Sequence, residues 1–396
     1  MRQVHVPVWL GTAGARRART FAILFSLATI GRTLLITLVP LQALALLGDA
    51  QAVSVLYFAV SLANLCLSLS IPWLVRLLRR RWVFSLGGLL LVIAPLVIAL
   101  GTPAGLALGL VLQVFGVACL EITLSLYLMD HIPRRDMGRF EPLRLFYAAG
   151  VWAIGPWLGV YLKDQVGDWI PFALASAAAF ATMCLFWFLR LQENPAVAPA
   201  KGPPPNPFRY LAHYFAQPRL RLAWLLALGR AAWWVMFFVY APIYAVESGL
   251  DRVTAGAIVS IASGALFIVP LWGWLARRYG LRRLLVVAYV ASGLASLGVA
   301  VAGGVPWLVA AALVTAAIIT GAIDGAGNVP FLRAVHPMER AEMTTVFATY
   351  RDVSQLVPPG IFALLLKAFH VPAVFVAGGL AMLAVAYYAR YLPRRM

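Results

Sequence analysis

The chain has 396 residues, 63% of them hydrophobic, and a mean hydropathy of +0.87. Soluble domains are far less apolar, so most of this chain is expected to face lipid or other apolar helices. Its net charge of +18 comes from arginines in short clusters between long apolar runs. This pattern is typical of the cytoplasmic loops of membrane proteins and argues against binding to nucleic acid.

Twelve apolar runs are long enough to cross a bilayer as helices. They cover residues 20–47, 52–75, 82–101, 104–130, 142–163, 169–190, 221–247, 253–276, 283–302, 305–329, 344–367 and 371–391. The sequence therefore predicts an all-α membrane protein with twelve transmembrane helices. Because the arginine clusters fall on one set of alternating connections, we expect a multi-pass protein of the inner membrane with both termini in the cytoplasm.

A proline-rich polar stretch, residues 193–220, separates the sixth span from the seventh. Its first half is expected to be an extended cytoplasmic linker, and Phe208–Phe215 is expected to form a short interfacial helix. The linker divides the chain into six-helix units at 1–192 and 221–396.

These two units align with each other at an offset of about 200 residues, as repeated bundles do. Gly31–Thr33 meets Gly229–Ala231, and Glu121 meets Asp324. The repeat predicts two pseudo-symmetric six-helix bundles in parallel orientation, which is the architecture of a transporter that rocks one half against the other.

The connections after spans 2 and 8 also share an outline. Pro72–Trp82 reads PWLVRLLRRRW, and Gly273–Arg283 reads GWLARRYGLRR. The second copy resembles the loop signature of the major facilitator superfamily, in which glycine permits a tight turn and cationic side chains anchor the loop on the cytoplasmic face. The resemblance extends over essentially the whole chain and implies that helices 1, 4, 7 and 10 line a central path.

Two residues depart from that signature. Arg76 and Arg277 stand where the family has an aspartate, so we expect anchoring to lipid headgroups instead of an acid-based latch. Gly273 and Gly280 are the glycines expected at the turn of the second copy.

Span 5 contains a second motif, GVWAIGPWLG, with Gly150, Gly155, Pro156 and Gly159. It resembles the helix 5 motif of exporters in the same superfamily and therefore favours export. Small residues at this spacing also serve close helix packing, and proline bends a helix, so packing alone is an alternative. The arginine that such exporters carry in helix 4 is missing near Gln113.

Four ionisable side chains inside spans are the leading candidates for the functional site. They are Arg32 in span 1, Glu121 in span 4, Arg230 in span 7 and Asp324 in span 10. An ionised group at such depth costs about 2.5 to 3.5 kcal/mol, so it is expected to face a cavity or a partner. Their similar depths make one salt bridge in each half geometrically possible.

Three interpretations of these charges remain open. The pairs can be static contacts that fix helix register; they can couple proton binding to a conformational change; or the two arginines can clamp an anion. For proton coupling we favour Glu121, because it follows the apolar residues Cys119 and Leu120, whereas glycines flank Asp324 and let water approach.

Other polar and aromatic side chains are candidate cavity or gate residues, with packing or a membrane-interface position as the alternative. They are Gln42, Gln113, Tyr127, Arg144, Tyr147, Trp234, Tyr240, Asn328, Tyr350, Arg351 and Asp352, together with Trp152 and Trp233. We expect no metal, no other cofactor and no enzyme chemistry, because metal-ligand spacing, a Walker A sequence and a nucleophile–base arrangement are missing.

The sequence thus favours a monomeric secondary active carrier, with protons and membrane lipids as partners. Its substrate is expected to be a small anionic or amphipathic organic solute, and proton-coupled export is favoured. An organic anion or phosphate-ester exchanger, or an uptake carrier, is the alternative. A second alternative is a non-transporting sensor or assembly factor on the same scaffold, which would not need charges inside its spans.

Overall fold

The computed structural model describes residues 13–131, 134–189, 207–303, 305–326, 328–336 and 339–393. Across these residues the chain is helical, with no β-strand. The predicted all-α class is therefore confirmed.

In the described part of the chain, the first half contains six α-helices. These are α1 (Ala13–Leu47), α2 (Ala50–Ser68), α3 (Ile71–Ala99), α4 (Pro103–His131), α5 (Arg134–Tyr161), which continues into a π-helical turn (Leu162–Val166), and α6 (Ile170–Phe188).

The remaining helices follow the linker. They are α7 (Pro207–Ala216), α8 (Pro218–Glu247), α9 (Arg252–Gly264), a 3₁₀ turn (Ala265–Ile268), α10 (Val269–Tyr279), α11 (Leu281–Val301), α12 (Pro306–Ala326), α13 (Val329–Ala334), α14 (Arg340–Ala348), α15 (Tyr350–Leu365) and α16 (Pro372–Ala389).

Ten helical stretches in the described part of the chain are long and apolar enough to cross a membrane. The two predicted spans not among them are 5 and 11, which correspond to α5 and to α14 with α15. Helix α5 opens with a charged segment, and a break at Thr349 leaves α15 with 16 residues that include Arg351 and Asp352. The twelve-span prediction is compatible with these helices.

Helix packing follows the two halves of the chain. In the first half, α1 packs against α5 and α6, and α3 packs against α4 and α6. In the second half, α11 packs against α12 and α16, and α8 packs against α15 and α16. The halves meet where α1 contacts α8, α2 contacts α15 and α5 contacts α9.

The connection after span 2 differs from its prediction. Helix α2 ends at Ser68 and α3 begins at Ile71, so the arginines up to Arg81 lie within a helix and the expected loop at Pro72–Trp82 is wrong. Pro72 lies in the first turn of α3, where proline is well tolerated, and arginine and leucine are good helix formers.

In the second copy the turn lies where a glycine was expected. Gly280 joins α10 to α11 with a φ of +89°, a conformation that favours glycine, whereas Gly273 lies inside α10. The side chains of Arg76 and Arg277 lie outside the described residues, so headgroup anchoring stays a prediction.

The short helix predicted at Phe208–Phe215 is present as α7, whereas residues 190–206 lie outside the described part. Helix α7 is attached to the second half. His213 Nε2 lies 3.2 Å from Glu339 Oε1, and Gln217 Nε2 donates to Glu339 Oε2 at 3.3 Å. These hydrogen bonds, from His213 first and then Gln217, hold the pKa of Glu339 below its usual value. The unit boundaries at 193 and 221 stay a prediction.

Two glycines of the span 5 motif bring α5 against α1. A methyl group at Gly155 would lie 2.6 Å from Thr33 Cβ, and one at Gly159 would overlap the Leu34 carbonyl oxygen. At Gly150 no atom lies within 4 Å of that position. Close packing therefore requires Gly155 and Gly159 but not Gly150.

The packing at Gly159 can be tested against Gly150 as a matched control. We expect Gly159→Ala to lower stability by on the order of 1–3 kcal/mol, because the backbone carbonyl in its way cannot rotate aside as a side chain would. Gly150→Ala should leave the thermal midpoint of the purified protein unchanged or slightly higher. Equal midpoints for the two variants would contradict this account of the motif.

Candidate functional site

The first predicted salt bridge joins α1 to α4. Arg32 Nη1 donates to Glu121 Oε1 at 3.1 Å, and the two side chains are 42% and 49% exposed. The Arg32 guanidinium also lies 5.8 Å from the ring centroid of Trp152 in α5. The charge of Glu121 interacts with that of Arg351 in the second half. The pair therefore lies at the cleft between the halves.

The second predicted salt bridge is more enclosed. Arg230 Nε lies 3.5 Å from Asp324 Oδ1, and these side chains are only 13% and 21% exposed. Trp234 Nε1 donates to Asp324 Oδ2 at 2.8 Å, and Arg230 Nη2 donates to Asn328 Oδ1 at 3.2 Å. Both carboxylate oxygens of Asp324 are thus occupied by groups of its own half.

This burial is the reverse of what the sequence suggested. Glu121 was expected in an apolar environment, but consecutive helical residues point in different directions, so the buried Cys119 occupies another face of α4. Asp324 was expected to be solvated, but its glycine neighbours bring helices together. A methyl at Gly325 would lie 2.5 Å from Trp272 Cβ, so α12 packs closely against α10 beside Asp324.

An aromatic chain connects the two ion pairs across the halves. The ring centroids of Trp152 in α5 and Phe238 in α8 are 5.4 Å apart. Phe238 stacks on Trp234 at 5.4 Å with an interplanar angle of 24°. Phe238 was missed from the sequence, although its spacing of four residues from Trp234 places both on one face of α8.

Two hydrogen bonds between the halves lie towards one end of the bundle. We call this end the arginine-poor face; it is the end at which α1 finishes at Leu47 and α2 begins at Ala50. Ser54 Oγ and Tyr240 Oη are 2.6 Å apart, and the Trp157 amide donates to Ser260 Oγ at 2.8 Å. Helix rise places these contacts about 6 to 13 Å from that face.

The four paired charges lie deeper, about 22 to 27 Å from the arginine-poor face by the same measure. Arg32 and Glu121 are exposed at that depth because the two halves contact each other nearer the arginine-poor face and leave a space between them at the level of this pair. The cleft that contains this pair therefore opens towards the opposite end, where the arginine clusters lie.

Some of the other candidate residues lie near these pairs. Tyr350 is buried and accepts a hydrogen bond from Arg351 Nε at 3.3 Å, and Arg351 and Asp352 are both exposed. Trp234 and Asn328 make the contacts given above, whereas Tyr240 contacts Ser54 nearer the arginine-poor face.

The remaining candidates lie elsewhere or are not described. Tyr127 is buried against Phe186 with Tyr147 beside it, so both belong to an apolar cluster of the first half. Gln113 is half-buried, about 12 Å along α4 from Glu121. Gln42 lies in a separate cavity, and the Arg144 side chain lies outside the described residues. Within the described residues, His, Cys, Asp and Glu form no group of three that could hold a metal ion.

Two packed groups of membrane-crossing helices, with one ion pair deep in the spans of each half, are the architecture expected of a transporter that rocks one half against the other. The sequence profile of the Major Facilitator Superfamily matches residues 21–359. The chain belongs to this superfamily. It is accordingly a transporter and not an enzyme.

Solved structures support the same fold. The nucleoside transporter NupG is similar with a TM-score of 0.74 and 14% identity, over 95% of this chain and 98% of that one. A POT family transporter in complex with 5-aminolevulinic acid is similar with a TM-score of 0.75 and 14% identity, over 94% of this chain and 95% of that one. The peptide transporter POT in complex with sulfate is similar with a TM-score of 0.71 and 14% identity, over 94% of this chain and 93% of that one. The comparison with curated proteins found no match.

Proposed function

We propose that this transporter is a monomeric, proton-coupled carrier of a small anionic or amphipathic organic solute. It spans the inner membrane, and the end that carries its arginine clusters faces the cytoplasm. The observation that carries the proposal is the Arg32–Glu121 pair, which lies deep in the spans and is nevertheless 42% and 49% exposed. An ion pair that only fixed helix register would be better covered.

The pair couples a solute to a proton by exchange of partners. Guanidinium binds carboxylate and phosphate oxygens in a bidentate geometry, so an anionic solute can replace Glu121 at Arg32. Arg351 of the second half attracts Glu121 through longer-range Coulomb forces, and it would attract the bound anion in the same way. Glu121 then loses Arg32 as its counter-ion and lies beside a second anion, and because both changes favour its neutral form it takes up a proton.

The enclosed pair has a different task in this proposal. Asp324 is held by Arg230 and by Trp234, so both of its oxygens are occupied without a solute. Helices α8 and α12 and the start of α13 are thereby fixed to one another, and the second half moves as a unit.

The direction of transport follows from how the proton is used. A solute that binds together with a proton is driven inward by an inward proton gradient, so the exchange at Arg32 favours uptake. The Gly155–Gly159 motif favours export, as the second candidate, and export requires that binding of the solute and binding of the proton exclude each other. The similar folds include a nucleoside transporter and a peptide transporter, which is in keeping with a small organic cargo.

A ligand screen tests the proposal. We expect organic anions or phosphate esters to raise the thermal midpoint of the detergent-solubilised protein, since a ligand that binds the native state stabilises it. Arg32→Gln should remove this increase. Arg221→Gln, which changes an exposed arginine at the start of α8, should keep it.

Cationic amphiphiles and neutral solutes serve as comparison ligands. Stabilisation by these compounds equal to that by anions would contradict an anion-binding role for Arg32, as would an undiminished anion effect in Arg32→Gln.

A further inference from the structure

A cavity lined by apolar and charged side chains lies near the arginine-poor face, away from the paired charges. It has a volume of about 160 Å³. The residues that matter here are Leu38, Leu41, Gln42, Lys163, Asp164 and Arg252. This volume is several times the space that one water molecule needs, so the cavity has room for a charged headgroup and a few carbon atoms.

Lys163 is directed into this cavity by the π-helical turn that ends α5. Its Nζ donates to Gln42 Oε1 at 3.2 Å, and Gln42 Nε2 donates in turn to the Ile98 carbonyl at 2.9 Å. The same Nζ lies 5.6 Å from the ring centroid of Phe172. An ammonium group has three donors, and among the described residues no carboxylate lies within salt-bridge distance of this one.

The other charges around Lys163 come from both halves. Arg252 begins α9 in the second half, and Asp164 follows Lys163 in the first. Asp168, Arg252 and Asp164 each interact with Lys163 through longer-range Coulomb forces. The lining itself carries two cations and one acid, and the two cations belong to different halves.

The position of the cavity fits an amphipathic ligand. Gln42 is about 8 Å from the end of α1, and Leu38 is about 14 Å from it, so the lining passes from the helix ends into the apolar part of the bundle. An anionic group beside Lys163 and Arg252 would leave its apolar stem along Leu38 and Leu41.

We propose that this cavity binds a phosphate or carboxylate group carried on an apolar stem, either the headgroup of an anionic lipid or a free anionic amphiphile. Because the ligand contacts a cation from each half, it stabilises the arrangement in which the halves are joined at the arginine-poor face. This site is independent of the carrier mechanism at Arg32 and Glu121.

The experiment compares the thermal midpoint of the full chain in nanodiscs of phosphatidylcholine alone with that in nanodiscs containing phosphatidylglycerol. A second arm adds hexyl phosphate to the protein in phosphatidylcholine nanodiscs. We expect at least one anionic probe to raise the midpoint of the wild type by several degrees, and Lys163→Gln to lose more than half of that increase. Lys367→Gln is the matched control, because it removes an exposed lysine outside the cavity.

The two arms distinguish the source of the ligand. An increase only with phosphatidylglycerol assigns the site to a lipid headgroup, and an increase only with hexyl phosphate assigns it to a free amphiphile. An increase that Lys163→Gln retains in full, an equal loss in Lys367→Gln, or no increase in either arm overturns the proposal. Arg252→Gln, which alters an exposed residue, gives the same test if Lys163→Gln does not fold.

Discussion

Replacing Glu121 with Gln is expected to abolish solute accumulation driven by a pH gradient, while solute binding and exchange without a gradient persist. The amide has nearly the volume of the protonated acid, so Arg32 stays available for an anion, but the side chain can no longer release or take up a proton. The measurement is uptake into proteoliposomes of the radiolabelled anion selected by the ligand screen, with and without an imposed pH gradient.

Glu247→Gln is the matched control for that measurement. Glu247 ends α8 near the arginine-poor face, and it makes no contact with either ion pair. Its variant should accumulate solute as the wild type does. Normal gradient-driven accumulation by Glu121→Gln would show that the Arg32–Glu121 pair is a static contact between α1 and α4.

Replacing Asp324 with Asn is expected to destabilise the protein by about 3–5 kcal/mol, because it leaves the Arg230 guanidinium enclosed without its counter-ion. The Glu121→Gln variant should lose less than about 1 kcal/mol, since an exposed pair contributes little to stability. Thermal unfolding of the two purified variants in the same detergent measures the difference.

A double variant gives this second prediction its control. Arg230→Gln combined with Asp324→Asn removes both charges, so much of the lost stability should return, although the two side chains are in contact and their effects are not additive. Equal losses for Asp324→Asn and Glu121→Gln would contradict the assignment of different tasks to the two pairs.

In our proposal the two aligned pairs have different tasks. Arg32 Nη1 donates to Glu121 Oε1, and both side chains are exposed at the cleft, so a solute can reach Arg32. Asp324 is held from two sides in its own half, so separating it from Arg230 would leave two enclosed charges. Pseudo-symmetry of the sequence therefore does not imply equal roles.

Much of the fold was accessible from the sequence because it depends on local patterns. Apolar runs predicted the helices, and the repeat between the halves placed Glu121 opposite Asp324 in the alignment. Similar depth made a salt bridge in each half geometrically possible, and both pairs are present. The turn after span 2 was misplaced because Pro72 can begin a helix as well as end one, and the surrounding arginines do not distinguish a loop from a helix.

The burial of the paired charges could not be predicted from such local patterns. Burial of Glu121 and Asp324 depends on the rotation of α4 and α12 about their axes and on where the halves meet, and neither follows from spacing along the chain. The contact of Trp152 with Phe238 and the cavity shared by Lys163 and Arg252 need the relative placement of the halves.

Proton exchange on ligand binding tests the central claim most directly. The purified protein is mixed, in weakly buffered solution with a pH-sensitive dye, with the anion selected by the ligand screen. Exchange of partners at Arg32 predicts uptake of about one proton per bound anion by the wild type and none by Glu121→Gln. Binding without proton uptake by the wild type, or equal uptake by Glu121→Gln, would contradict the account.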